Sequence, residues 1–377
     1  MKKKKKTMSN LTRDLWEEVL CRIPLTGLRK VRSTCRKWNT LSKNTFFAKK
    51  HLAKAAAKEE LMMVVVMDFS VYLMGVNLSD KESSCIKRQS KLIGPEIEVR
   101  QVLHCDGLLL CVSRDDAKLV VWNPYCGKPL WIEQGINLGF WYALGYDKRS
   151  ESHKVLRFRD RKDFTIYDLD NNNNNSDSWR VLDITASWRV NSYQSSVTLD
   201  GNAYWLATAA VSGDCCLVCF DFTRETFGPL LPLPFEHSPQ DGDTVSLSVV
   251  GGGGGKKLAV LFQPWDTLKV EIWVTSKIEP DAVTWESEVF LKVSLKQVIH
   301  PQFQFTVTGG SFLIDEERKL AIVFDEEEDD LDIHPARNLA YVIGADGFFK
   351  KVDLGESAHE QEPPLACSYL PSLVQPC

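Results

Sequence analysis

Four aromatic residues, Trp122, Tyr167, Phe220 and Trp273, stand 45, 53 and 53 residues apart, each inside a short apolar run. The runs read Val121-Trp122-Asn123-Pro124, Ile166-Tyr167-Asp168-Leu169, Cys219-Phe220-Asp221-Phe222 and Ile272-Trp273-Val274. A second element, a turn leading into an apolar strand, recurs between them at 105–111, 199–206 and 255–262. From Leu61 onward, apolar runs of 4–8 residues alternate with Gly, Asn, Asp and Pro turns, as strands do. Extrapolating the spacing back reaches Tyr72, and forward, more loosely, Tyr341. Units of 45–53 residues with four strands each suit the blades of a β-propeller, and about six of them fill the roughly 300 residues available. A ring of blades protects sheet edges that would otherwise recruit other chains. The same strands fit a two-sheet sandwich stack, the competing architecture; the ring is preferred.

The first sixty residues obey a different period. Leu15, Val19, Leu20 and Ile23 share one helical face, and Pro24 ends that helix by removing a donor. Thr12 is placed to cap it, with Leu11 and Trp16 at the positions of a hydrophobic staple. Leu25, Leu28, Val31, Cys35, Trp38 and Leu41 then follow at steps of three and four, as one amphipathic helix or as two bent near Ser33-Thr34. About forty residues bury too little surface to be robust alone. The leftover apolar stripe therefore either waits for another subunit or docks on the rest of the chain, and periodicity does not choose between them.

Charge divides along the same boundary. Residues 1–60 hold 17 Lys and Arg against 5 Asp and Glu, whereas the remaining 317 hold 29 against 45, so the two parts suit different partners. The basic arm lacks interleaved aromatics and any nucleic-acid motif, and no nucleic-acid partner is expected. No apolar run approaches the roughly 18 residues of a membrane span, and no membrane association is expected. The opening MKKKKKT leads into a polar helix pattern rather than the apolar core of a secretory signal. Eleven scattered cysteines then read as reduced thiols, and the expected location is cytoplasm, nucleus or both. Lys2–Lys6 is either a solvated tail or a nuclear import signal.

The stretch LTRDLWEEVLCRIPLTGLRKVRSTCRKWNTL resembles an F-box, especially that of plant F-box proteins. The matching positions are Leu11, Asp14-Leu15, Glu18, Leu20, Ile23-Pro24, Leu28, Val31-Arg32, Cys35 and Trp38. The family usually carries Pro after the first Leu, where this chain has Thr12, and a contact of the Pro ring is lost there. Downstream, HCDGLLLC, VWNPYCGKPLWI, ALGYD, HKVLRF, SWRVLD, VTLDGNAYWLA and CFDFTRETFGPLLPLPF resemble the plant F-box-associated interaction domain, type 1, over nearly all of 61–357.

The resemblance implies an α+β multidomain chain: a small three-helix F-box followed by an all-β, propeller-like, kelch-like domain of about six units. The expected limits are a basic tail at 1–9, the F-box at 10–52, a linker at 53–60, the β domain at 61–357 and a C-terminal tail at 358–377. The implied role is substrate recognition in an SCF-type (Skp–cullin–F-box) ubiquitin ligase, with no catalysis by this chain. Leu11, Leu15, Leu20, Ile23, Pro24, Leu28, Val31 and Trp38 supply the F-box core and the surface for a Skp-type adaptor, which bridges to cullin and RING subunits. The β domain holds a protein substrate that the resemblance leaves unnamed. Two rivals stay open: a propeller scaffold not assembled into a ligase, which Thr12 keeps alive, and a glycan- or small-ligand-binding propeller, which the aromatics permit.

No catalytic constellation stands out. The seven histidines have no H-x-x-x-H spacing, there is no Gly-x-Ser-x-Gly elbow, and Gly251–Gly255 lacks the Lys-Ser/Thr ending of a phosphate loop. The single C-x-x-C, Cys216 to Cys219, lies in a strand-like run without two further ligands nearby, so no metal and no cofactor are expected. Asn171–Asn175 and the glycine run read as loop insertions, and Asp325–Asp330 as a solvated loop or a dock for a basic partner. Trp141, Tyr142, Trp188 and Trp265 are candidate substrate contacts in expected loops, if they do not fill the core instead.

Overall fold

The computed structural model describes residues 13–20, 22–23, 31, 34, 36–42, 47, 61–78, 85–92, 97–124, 129–133, 139–159, 161–169, 179–190, 195–237, 241–252, 255–296, 298–306, 311–327, 336–358, 363–372 and 374. Leu11, Thr12, Pro24, Leu28, Lys2–Lys6, Asn171–Asn175 and the far half of the acidic run lie outside the described residues.

Two helices of the N-terminal module are described, α1 (Arg13–Leu20) and α2 (Arg36–Ser42). The strands form six sheets, each a blade. The first joins β1 (Leu61–Met67), β2 (Ser70–Asn77) and β3 (Cys85–Lys91) to β26 (Leu365–Ser368). The second contains β4 (Val99–Cys105), β5 (Leu108–Ser113), β6 (Lys118–Trp122) and β7 (Leu130–Glu133). The third contains β8 (Trp141–Asp147), β9 (Ser152–Arg159), β10 (Lys162–Asp168) and β11 (Arg180–Val181). In the fourth, β12 (Trp188–Val190) and β13 (Val197–Leu199) share one edge of β14 (Asn202–Ala209), followed by β15 (Cys215–Asp221) and β16 (Thr226–Phe227). The fifth runs β17 (Thr244–Gly252), β18 (Gly255–Gln263) and β19 (Lys269–Glu279), with its outer strand split into β20 (Ala282–Trp285) and β21 (Leu291–Ser294). The sixth is β22 (Phe312–Asp315), β23 (Leu320–Glu327), β24 (Arg337–Gly344) and β25 (Phe349–Glu356).

Inner strands touch their neighbours in a closed circuit, β26 to β4, β8, β13, β17, β22 and back to β26. The architecture is a six-bladed propeller, not a sandwich stack. Tyr72, Trp122, Tyr167, Phe220, Trp273 and Tyr341 all lie on the third strand of their blades, so the repeat read from the sequence is the blade repeat. Second strands are covered on both faces: all six residues of β5 are buried, whereas β4 alternates between buried and half-buried. The turn half of the repeat is equally local. Asp106-Gly107 and Asp200-Gly201 have φ of 49° and 86°, and of 51° and 87°, the two positive dihedrals of a type I′ hairpin.

The C-terminal limit needs correction. The segment set aside as a tail, 358–377, contains β26, which pairs antiparallel with β1, from Met63↔Ser368 to Val66↔Leu365. A four-residue run after two prolines has no alternation to betray it; β1, three hundred residues earlier, supplies its partner and the ring its reason.

In blades two to six the chain runs from inner to outer strand, and in the first it enters at the second strand and returns at the end to supply the inner one. Turns between first and second strands therefore open on one face, and turns between second and third strands on the other. β1 is a second strand, so the helical module joins the ring on the first of these faces, here the proximal one; the other is the distal face. A cavity of about 70 Å³ on the axis is lined by inner-strand residues of several blades, among them Val102, Val197, Ser246 and Ala366.

Candidate docking surfaces

On α1 the apolar stripe divides. Leu20 is fully buried and Trp16 packs edge-on against Trp38 of α2, ring centroids 5.2 Å apart. Leu20 and Phe47, with partly buried Ile23, Val31 and Trp38, belong to one apolar cluster with Val64 and Val66 of β1, Trp122 of β6 and Tyr369. The module thus leans its inner side on the first two blades. Leu15 and Val19, one turn apart, remain 52% and 40% exposed. One edge of the stripe is sealed against the ring and the other faces solvent.

Of the four aromatic candidates, three are strand residues rather than loop residues. Tyr142 on β8 is 1% exposed, and its carbonyl accepts the Ser196 hydroxyl at 3.0 Å. Trp188 on β12 is 2% exposed within an aromatic nest formed by Phe158, Phe164 and Phe227. Half-buried Trp141 stacks on Phe158 at 5.7 Å. Tyr142 and Trp188 are thereby removed from the set available to a partner; flanking turn-like residues hid short strands whose inward side chains fill the space between blades. Trp265, at 59% exposure in the β18–β19 turn, stands out on the distal face. Trp188→Ala is expected to cost about 3–5 kcal/mol of stability and Trp265→Ala under about 1 kcal/mol, compared by urea unfolding.

Around Trp265 the distal loops are tied together. Its backbone N–H donates to Asp243 Oδ1 at 3.0 Å, and the other Asp243 oxygen meets His237 Nδ1 at 2.8 Å. Gln304 Nε2 donates to the Gly242 carbonyl at 2.7 Å, and the Phe305 N–H to Gln263 Oε1 at 2.9 Å. Thr306 donates its hydroxyl to Asp325 Oδ1 at 2.5 Å, which carries the network to the root of the acidic run in the sixth blade. The sequence offered no signal for this rim, because its members, from His237 to Asp325, are up to 88 residues apart. Val211, in the β14–β15 turn of the same face, is 98% exposed.

Asp325 titrates abnormally. Burial pushes its carboxyl up to about 6, against the Thr306 and Glu326 hydrogen bonds that draw it down. The folded chain thus keeps a proton that the unfolded chain releases near pH 4, so this group favours folding most below about pH 4, and the benefit is lost as pH rises through about 6. A decline on the order of 1–3 kcal/mol is expected over that window, and Asp325→Asn should flatten it in urea titrations run at successive pH values.

On the proximal face, Lys154 is buried and bridges blades three and four, with Asp147 Oδ2 and Glu225 Oε1 each 2.7 Å from its ammonium. Arg180 adds a two-pronged contact to Glu225 at 2.7 and 2.8 Å. Burial pushes Asp147 up, yet the hydrogen bonds from Lys154 and Ser150 prevail and hold it at about 2. This corner of the proximal rim is thus an ion-pair network between two blades, and the distal rim leaves the Trp265 indole and the Val211 side chain in water.

Known proteins settle the lineage. The F-box associated beta propeller domain family matches residues 62–376, and the F-box domain family residues 8–50. The chain belongs to the F-box proteins that carry an F-box associated beta propeller domain. Relatives in Arabidopsis thaliana include F-box protein At3g19470, 53% identical over 98% of this chain and 100% of that protein. Putative F-box protein At3g24580 is 50% identical over 97% and 99% of the two chains. F-box/kelch-repeat protein At3g16740 is 45% identical over 98% and 99%. Among the F-box positions named from sequence, the structure therefore places Leu20 in the core, Ile23, Val31 and Trp38 partly buried against the first blades, and Leu15 outward.

Proposed function

We propose that this F-box protein is the substrate-recognition subunit of an SCF-type ubiquitin ligase and does no chemistry itself. The outward Leu15–Val19 edge of α1 carries the reading: it is an exposed aliphatic pair on a module whose described core residues pack against the ring, and a second protein would cover it. A Skp-type adaptor, bridging to cullin and RING subunits, is the partner that an F-box implies. The distal face, away from the F-box, holds the protein substrate, with Trp265 as its exposed aromatic. Joining the two ends in one chain raises the effective concentration of substrate at the ligase. Cytoplasm and nucleus are the compartments in which this assembly would work.

The test is a reconstitution. Full-length protein should co-elute with adaptor, cullin and RING subunit, and affinity purification under proteasome inhibition should enrich proteins whose capture falls in Trp265→Ala. A chain that folds but fails to bind the adaptor would refute the ligase role.

A further inference from the structure

Two groups of metal-competent side chains occur among the described residues, and they differ in one respect. At His237, Asp241 and Asp243, both oxygens of Asp243 are already engaged, by the His237 ring and by the Trp265 N–H. At Cys105, Asp106 and His153 the carboxylate oxygens also have partners, Oδ2 the Cys105 thiol at 3.6 Å and Oδ1 the Lys256 ammonium at 3.4 Å, but the imidazole Nε2 has none. Cys105 ends β4, Asp106 occupies the positive-φ hairpin position after it, and His153 stands near the start of β9 in the neighbouring blade. All three belong to the proximal face. His153 Nε2 is buried and has no hydrogen-bond partner, and its nearest acidic atom, Asp106 Oδ2, is 3.7 Å away, too far for one. The ring is held in place by a tilted contact with Tyr146, centroids 4.9 Å apart.

We propose that Cys105 Sγ, Asp106 Oδ2 and His153 Nε2 form a three-ligand Zn(II) site that joins the second and third blades. The three donor atoms lie within 4.8 Å of one another, with Sγ to Oδ2 at 3.6 Å and Nε2 to Oδ2 at 3.7 Å. Zinc bonds of about 2.3 Å to sulfur and about 2.0 Å to nitrogen or oxygen place tetrahedral ligands about 3.3–3.5 Å apart, so the two pairs that share Asp106 Oδ2 need close by only a few tenths of an ångström, and the thiol and imidazole, within 4.8 Å of each other, by at most about 1.3 Å. Thiolate, imidazole and one carboxylate oxygen form a donor set suited to Zn(II) rather than to magnesium or calcium. The fourth position is left for water.

Charge balances as well. On binding, the Cys105 thiol gives its proton to solvent, and thiolate plus carboxylate then neutralise the ion. Lys256, reaching over from the fifth blade, pairs with the other oxygen, Asp106 Oδ1, at 3.4 Å and leaves Oδ2 to the metal. Its ammonium remains a nearby like charge and weakens the site.

Full-length protein exposed to Zn(II), dialysed and measured by elemental mass spectrometry is expected to retain one zinc per chain, with about one proton released per zinc bound. Cys105→Ser and His153→Gln should each lose that zinc, whereas Asp241→Asn should keep it. Cobalt in place of zinc should give a sulfur-to-metal charge-transfer band in the wild type and none in Cys105→Ser. Lys256→Met should tighten zinc binding by roughly tenfold. Zinc lost on dialysis, or retained equally in Cys105→Ser, overturns the proposal. If the Cys105 and His153 variants do not fold, proton release and the Lys256→Met comparison still decide, and the absence of either effect rejects the site.

Discussion

Leu15→Asp combined with Val19→Asp should reduce adaptor affinity by at least about 100-fold and leave the unfolding of the β ring unchanged. The two side chains lie one helical turn apart, 52% and 40% exposed, so the free protein loses little when they change. In a complex the balance differs. Covering two aliphatic side chains contributes roughly 25 cal/mol for each Å² removed from water, and a carboxylate at the same place must be dehydrated without a partner. Leu20→Asp would be a poor substitute, because Leu20 is fully buried and its loss unfolds the module. Isothermal titration with purified adaptor, beside a thermal melt of each variant, separates the two effects. Undiminished binding by the double variant would place the adaptor contact elsewhere.

Ending the chain at residue 358, before β26, is expected to destroy the propeller. β26 is the inner strand of the first blade and contacts both β4 and β22, so its removal opens the axis and bares one edge of β1. The ladder from Met63↔Ser368 to Val66↔Leu365 disappears, together with the Tyr369 N–H bond to the Met62 carbonyl. Partly buried Leu365 and Cys367 and buried Tyr369 leave the cluster that also seats the F-box. Several backbone hydrogen bonds at about 1 kcal/mol each, plus the apolar burial, amount to 5 kcal/mol or more, comparable with the roughly 5–15 kcal/mol stability of a whole domain. The exposed edge of β1, LMMVVVM, then favours aggregation. The expected result is an insoluble or molten chain by gel filtration and near-ultraviolet circular dichroism. A soluble, cooperatively melting product would show that five blades and three strands suffice.

Several features were written locally and were therefore legible. Trp122, Tyr167, Phe220 and Trp273 mark third strands because each blade needs a large apolar residue at the same place in its packing. Asp106-Gly107 and Asp200-Gly201 announce hairpins because positive φ is cheap there. Trp188 was ambiguous, since an aromatic beside polar neighbours reads alike in a loop and in a three-residue strand; burial decided. The partition of the helical stripe, with Leu20 inward and Leu15 outward, was beyond periodicity, which locates a face but does not say what covers each edge of it.

The sequence by itself determined that this chain is a short helical module followed by about six repeated β units, because helix period, strand period and repeat spacing are properties of neighbouring residues. Only the tertiary structure decided that residues 365–368 close the ring, that Trp265 and the Asp243–His237 pair share the distal rim, and that Cys105, Asp106 and His153 meet on the proximal one. Those meetings depend on where a closed circle of blades brings distant turns, and contacts across a ring have no signature in local spacing.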